Sequence, residues 1–202
     1  MAVDNHGKAT GRESDRRVGD DPGHVDALDD TITTPRLSLV RLRPDDADDI
    51  AHVLFDESLY EFIDGRPATI AELRDRYAVM AAGSPDPGEV WLNWIVRRRD
   101  DSQPVGTVQA TLATRDGRRT AHVAWIIAID HQNQGFASEA ARALVEWLRE
   151  RGFDDIVANI HPGHRASALV AVRAGLESTG ECDDGEQVWR APSARGAKPW
   201  PS

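Results

Sequence analysis

The stretch Val123-Ala124-Trp125-Ile126-Ile127-Ala128-Ile129-Asp130-His131-Gln132-Asn133-Gln134-Gly135-Phe136-Ala137-Ser138-Glu139-Ala140 decides how the rest of the chain is read. Its first seven residues carry no charge and end a strand expected over 121–129. From Ala137 the pattern changes: Ala137, Ala141, Leu144, Val145 and Leu148 recur at helical spacing, with Glu139, Arg142, Glu146, Arg149 and Glu150 on the other face. Gly152 stands where a left-handed residue would end that helix. A strand therefore enters a helix through a turn containing Gly135. The first amides of such a helix have no partner within it and point at one spot. The helix dipole adds partial positive charge there, and a pyrophosphate fits the spot. Gly135 lets a phosphate approach the backbone with no Cβ in the way. Ala137 keeps the next turn small, and Ser138 offers a hydroxyl donor.

By itself Gln-x-x-Gly-x-Ala is also compatible with an ordinary strand-to-helix turn. Other phosphate and nucleophile motifs are missing. The chain has no Gly-x-x-x-x-Gly-Lys-Ser/Thr loop, no Gly-x-Gly-x-x-Gly after a first strand and no Gly-x-Ser-x-Gly elbow.

Outward from the turn the elements alternate. Residues 36–42 read as a strand, and Pro44-Asp45-Asp46 opens a helix with Ile50, Val53 and Leu54 on one face. A second helix is expected over 70–82, then strands over 90–97 and 105–113 before the strand of the opening stretch. Beyond the long helix follow a short buried strand over 155–160, a helix over 166–173 ending at Gly175, and a last strand over 186–190. This order predicts an α+β (α/β mixed-sheet) fold of six to seven strands flanked by helices. Residues 1–31 read as a disordered acidic tail, 32–190 as the domain and 191–202 as a second tail.

Composition narrows the class. The 202 residues carry a net charge of −10, which disfavours a nucleic-acid partner unless basic residues are segregated on one face. Arg97-Arg98-Arg99 is the one tight basic run, and Asp100-Asp101 follows at once, so it reads as a solvated strand end. No run is long enough to span a bilayer, no apolar signal segment opens the chain, and a single cysteine excludes an intrachain disulfide. A cytoplasmic protein, monomeric or homodimeric, is the expectation.

Three elements together resemble a known family, the GNAT N-acetyltransferases. The strand 123–129 with Gln132-x-x-Gly135-x-Ala137 and Ser138-Glu139-Ala140 is similar to its central acetyl-CoA motif. Ala158-Asn159-Ile160-His161-Pro162-Gly163-His164-Arg165-Ala166-Ser167 and then Ala174-Gly175-Leu176 are similar to the motif that follows. The resemblance covers about 34–190, is sharp over 121–176, and is strongest to the branch that includes ribosomal-protein N-terminal acetyltransferases. It implies acetyl-CoA as co-substrate and an amine as acceptor, either a small molecule or a protein N-terminus, with direct transfer in a ternary complex. It further implies that the backbone from Ile127 to Ile129 pairs with the pantetheine arm. Gln132 would belong to the turn, and the amides of Gln134, Gly135, Phe136, Ala137 and Ser138 would bind the pyrophosphate. Asn159 would lie where the central strands splay. Ser167 would contact the pantetheine end and protonate the leaving thiolate. Two positions depart from the pattern: His164 stands where the family often has Asn, and His122 where related sequences often have Glu.

The second departure bears on the base. An ammonium must lose a proton before it attacks a thioester, and a histidine with a pKa of about 6.5 suits that task. His122 is the candidate, against the plainer reading of a hydrogen-bonded strand histidine; Glu57 and Glu61 are alternatives. His164 is expected to cap the following helix or to touch the coenzyme arm. His161 and His164 lack an obvious third ligand, so no metal is expected. Trp91, Trp94 and Trp125 read first as core, with Asn93, Gln109, Tyr60 and Phe62 as possible acceptor-site neighbours, and Cys182 as chemically idle. The alternative to an enzyme is a non-catalytic acyl-CoA-binding sensor or scaffold, which would keep the turn and need no base.

Overall fold

The computed structural model describes residues 31–62, 65–115 and 117–192. The two expected tails lie outside the described residues, apart from Thr31, Ala191 and Pro192. Ala191, expected in the tail, is buried in the core, and its N–H donates to the Ile156 carbonyl at 2.8 Å.

Eight strands form one mixed sheet: β1 (Ile32–Thr33), β2 (Leu37–Arg41), β3 (Glu89–Arg98), β4 (Pro104–Arg115), β5 (Arg118–Ile127), β6 (Asp155–Ile160), β7 (Glu177–Asp183) and β8 (Glu186–Arg190). Their spatial order is β1-β2-β3-β4-β5-β6-β8-β7, and every pairing is antiparallel except β5 with β6. The helices are α1 (Asp46–Ile50), α2 (Ile70–Ala82), α3 (Phe136–Glu150) and α4 (Arg165–Arg173). The α+β class is as expected, but the sheet exceeds the expected six to seven strands. The additional strands are the two edges. β1 has only two residues, and every residue of β7 is exposed, so neither shows the apolar alternation by which a strand is recognised.

The sheet has two unequal cores. On one face α3 lays Phe136, Ala140, Ala141, Leu144, Val145 and Leu148 against Leu92, Trp94, Val108, Ala110, Val123 and Trp125 of the central strands. Trp147 of α3 meets Trp94 edge-on, with ring centroids 5.5 Å apart. Leu144 and Leu148 are fully buried, and each contributes about 1.5–3 kcal/mol of transfer free energy by that burial. On the other face Ala47, Ile50, Val53, Leu73 and Tyr77 pack with Leu42 and Ile95.

Both helices that matter to the site stop in the same way. After α3, Gly152 takes φ +76°, its N–H donates to Arg149 and that of Phe153 to Leu148. After α4, Gly175 takes φ +83°, its N–H donates to Val172 and that of Leu176 to Ala171. These paired bonds close the last helical carbonyls with a glycine in the left-handed region. At its start α2 has a reciprocal cap, in which the Glu72 N–H donates to Thr69 Oγ1 and the Thr69 N–H to the Glu72 carboxylate.

The arginine run is engaged throughout. Arg97 bridges Asp46 and Asp49 at 2.8 and 3.1 Å and is largely buried, which corrects its reading as solvated charge and fixes α1 to β3. Arg98 pairs with Asp100 and Asp101, and Arg99 donates to the Thr34 and Pro35 carbonyls. No helix among the described residues is long and apolar enough to cross a membrane.

Candidate active site

The one parallel pairing is short. β5 and β6 are in register only at Thr120–Asp155, Ala121–Ile156 and His122–Val157. Past His122 the two strands diverge: β5 stays on β4 as far as Ile127, while Ala158 to Ile160 stay on β8. The gap leaves backbone groups of both strands without a sheet partner, so another extended group can lie between them.

A cavity of about 340 Å³ opens along the β5 side of this gap, within the usual size range of small-molecule sites. Its walls are the end of β5 (Trp125, Ile126, Ile127), the turn into α3 (Gln132 to Ser138, Gln134 excepted) and one face of α4, with Leu59 closing one side. Gly135 precedes α3 at φ +82°, and Asn133 is also left-handed at φ +60°. The first bond of α3 is the Glu139 N–H to the Gly135 carbonyl at 3.0 Å. The amides of Gly135 to Ser138 therefore precede the helix's own ladder and have no partner within it, the arrangement that suits an anion. Gln132 steadies the strand end, its Nε2 donating to the Ile127 carbonyl at 3.0 Å.

The turn is tied from outside. Glu139 Oε2 accepts from Arg36 Nε at 2.7 Å, and Oε1 accepts from the Arg36 backbone N–H at 3.0 Å and from Thr34 Oγ1 at 2.6 Å. Arg36 Nη1 also donates to the Gln134 carbonyl at 3.0 Å, and its guanidinium stacks 4.7 Å over Phe136. Burial is the largest single influence on the Glu139 carboxyl and opposes its ionisation. The hydrogen bonds from Thr34 and Arg36 together outweigh it and hold the pKa below the usual value.

The opposite wall begins at the end of β6. Ser167 is buried in the first turn of α4 and lines the cavity. His164 occupies the N-cap position but makes no side-chain capping bond, which corrects half of the expectation for it. Its ring instead stacks on Phe62 at 4.7 Å and lines the cavity. Burial and the neighbouring His161 push its pKa down, which favours the neutral imidazole. His161 Nδ1 accepts from the Gly163 N–H at 3.1 Å, and its ring lies 5.3 Å from Phe62.

A family model for the acetyltransferase (GNAT) domain matches residues 36–177, about two thirds of the chain and the whole of this wedge. The chain belongs to the GNAT acetyltransferase family. A search of curated proteins found no match. Solved GNAT structures share the fold. The ribosomal-protein-S5-alanine acetyltransferase of Vibrio fischeri has a TM-score of 0.69 at 16% identity, over 82% of this chain and 98% of that one. A GNAT-family acetyltransferase from Bacillus anthracis has a TM-score of 0.62 at 20% identity, over 79% and 93%. The aminoglycoside acetyltransferase AAC(6')-Ib, solved with coenzyme A and kanamycin, has a TM-score of 0.62 at 18% identity, over 79% and 95%. Another structure of AAC(6')-Ib contains acetyl-CoA.

Within this GNAT domain the sequence-predicted residues divide into groups. Ile127, Gln132, Gly135, Phe136, Ala137, Ser138, His164 and Ser167 line the one cavity. Gln134 does not: its side chain turns away to donate to the Asp130 carbonyl at 3.2 Å. Ile129 is not in a strand. β5 ends at Ile127, and Ile129 opens a 3-10 turn (Ile129–His131) that lines a second cavity with Phe55 and Arg98. The chain bends there because, past the last rung to Val105, the His131 N–H bonds to the Ala128 carbonyl and that of Gln132 to Ile129.

His122 and Asn159 line a third cavity, of about 540 Å³, with Cys182, Asp155 and Arg190. His122 occupies the last paired position before the gap and faces away from α3, since its neighbours Ala121 and Val123 are in the α3 core. By register Asn93 and Gln109, and Trp91 and Thr111, lie on that same face. Trp94 is core, while Trp125 is buried and also lines the first cavity. Glu57 and Glu61 are exposed. Among the described residues no group of three or more His, Cys, Asp or Glu side chains is placed to hold a metal ion.

Sequence reasoning missed Leu59, the Phe62–His164 stack and the Arg36–Glu139 bridge. Each is a placement that joins segments far apart in the chain, for which neighbouring residues carry no signal.

Proposed function

We propose that this protein transfers the acetyl group of acetyl-CoA to an amine, a small molecule or a protein N-terminus, by direct attack in a ternary complex. The observation that carries this is the conjunction, in one cavity, of the unladdered amides of Gly135 to Ser138 with the unpaired edge of β5. The first suits a pyrophosphate and the second an extended amide-bearing arm, and acetyl-CoA has both, in that order. No aspartate or glutamate lines the cavity to repel the phosphates, although the chain is strongly acidic.

In the reaction the amine nitrogen bonds to the thioester carbonyl carbon, and the C–S bond then breaks. The amine gives up a proton and the departing thiolate takes one. His122, on the face opposite α3 at the last β5–β6 pair, is the residue assigned to receive the amine proton directly or through water. Ser167, on the coenzyme side, supplies a hydroxyl for the thiolate. A cytoplasmic setting belongs to this reading. So does a cationic acceptor, which an acidic chain would attract.

The test is acetyl-CoA with a panel of small amines and N-terminal peptides, followed by release of free thiol. Turnover on at least one amine is expected. Saturable acetyl-CoA binding by calorimetry without turnover on any acceptor would instead favour a sensor or scaffold. No binding would sink both.

A further inference from the structure

Arg118, Thr120 and His122 alternate along β5, so they share the face turned away from α3. All three line the third cavity, which is therefore a groove running down β5 from the last β5–β6 pair. Arg118 stands four residues before His122, about 13 Å along the strand at 3.3 Å per residue. The helices α1 and α2 pack on the same face against Leu42 and Ile95, and none of their residues lines the groove.

Charge is distributed unevenly along it. Asp155, in register with Thr120, is bound to Arg190, so those two charges cancel. Arg118 is exposed, and among the described residues no hydrogen bond or ion pair engages its guanidinium. Its neighbour Arg119, on the other face, donates to the Arg151 carbonyl and lies over Phe153. At the opposite end of the groove stand Glu181 and Asp183. Asp183 is in register with Glu186, one residue beyond the Gln187–Ile160 pair, on the side where β5 and β6 part. The groove thus has an anionic end and a cationic end, with His122 between them. An ammonium is drawn towards the first and a carboxylate towards the second, which fixes the direction in which a molecule carrying both lies. An extended tripeptide spans about 10 Å from amine to carboxylate, and the reach of the arginine side chain covers the remainder.

We propose that the acceptor is a zwitterion of about tripeptide length: a peptide amino terminus meets the thioester beside His122, and a carboxylate about three residues on is held by Arg118. That carboxylate is either the free carboxy terminus of a tripeptide or an acidic side chain at the third position of a longer chain. This rests on the acetyl-transfer reading above and names the acceptor which that reading leaves open. The net charge of the chain pointed only to a cationic acceptor, because composition does not show that one arginine is left over at this end of the groove.

The experiment follows free thiol release from acetyl-CoA with four acceptors, on the full chain and on Arg118→Gln and Arg118→Glu. The acceptors are Ala-Ala-Ala, its carboxy-terminal amide, and the amides of Ala-Ala-Glu-Ala and Ala-Ala-Lys-Ala. The wild type is expected to favour the acid over its amide, or the Glu peptide over the Lys peptide, by about two- to five-fold in kcat/KM, roughly one exposed ion pair. The pair that shows the preference identifies the source of the carboxylate. Arg118→Gln should remove the preference through KM, and Arg118→Glu should reverse it, with kcat and the Kd for acetyl-CoA unchanged. Thermal unfolding shows whether each variant is folded. A wild type indifferent to the carboxylate would overturn the proposal. So would a preference that survives Arg118→Gln, including one that survives a general loss of rate from a role of Arg118 in stability alone. If small diamines are turned over and none of the peptides is, the proposal fails while the acetyl-transfer reading stands. If calorimetry shows no binding of acetyl-CoA, both fail.

Discussion

Arg36 and Glu139, 103 residues apart, are joined by the Arg36 side chain and by its backbone N–H at once. The pair ties the start of β2 to the first turn of α3, and through the Gln134 carbonyl it also holds the turn at Gly135. Binding a pyrophosphate on backbone amides requires that those amides already point the right way, because any reordering is subtracted from affinity. On the function proposed above, the Arg36–Glu139 bridge is thus a positioning device for the pyrophosphate amides, holding the turn from outside the cavity.

Glu139→Gln should weaken acetyl-CoA binding several-fold and lower stability by about 1 kcal/mol, since the carboxylate is mostly covered but Arg36 is half exposed. The pH dependence has a definite sign. The Glu139 pKa is depressed in the folded state, so its contribution is present above the unfolded value and is lost as pH falls through the folded one. Urea unfolding of both proteins at several acidic pH values should show the difference between them shrinking as the pH falls.

Gly135→Val should reduce acetyl-CoA affinity by at least ten-fold, roughly the loss of one charge-assisted contact. A β-branched residue at φ +82° is strained, and its Cβ would lie 3.4 Å from the Arg36 guanidinium that holds the turn, so the turn and its amides must shift. Unchanged affinity by calorimetry would place the anion elsewhere.

Gly106→Ala tests the strand that supports the coenzyme arm. A Cβ there would lie 2.0 Å from the Ile126 carbonyl oxygen and 2.9 Å from the Ile127 Cα. Backbone must move to relieve this, and the residues displaced belong to the cavity wall. A loss of about 1–3 kcal/mol in urea unfolding is expected, with weaker acetyl-CoA binding.

His122→Ala should lower kcat by about 100-fold near pH 7 while the Kd for acetyl-CoA stays the same, because His122 lines the cavity on the other face. A rate equal to wild type would remove His122 from the chemistry.

His164 predicts a stability change of its own. Its folded pKa lies below the unfolded value of about 6.5. The unfolded chain therefore binds the proton first, and stability present above that value is lost as pH falls towards the folded pKa. His164→Leu should flatten the midpoint-versus-pH curve between about 5 and 7 relative to wild type.

Much of this protein could be read from local pattern. The strand-turn-helix from Val123 to Leu148, the glycine stops at Gly152 and Gly175, and the class of the fold all follow from which neighbours along the chain are apolar, small or flexible. β7 could not be read this way: Glu177-Ser178-Thr179-Gly180-Glu181-Cys182-Asp183 buries nothing and is a strand only because β8 offers it an edge. The bend after Ile127 was also hidden. Ile129 is as apolar as a strand residue, and only the bonds of the His131 and Gln132 amides to Ala128 and Ile129 turn the backbone there.

The sequence by itself determined that a strand enters a helix through a turn at Gly135, and with it that the first amides of that helix have no partner within it. Tertiary structure alone decided what encloses that turn. It sent His122 and Asn159 to a different cavity from Ser167, turned His164 onto Phe62 and brought Arg36 behind the turn. These depend on which sheet face a residue takes and where two strands part, and both are set by packing between segments a hundred residues apart, which local pattern does not carry.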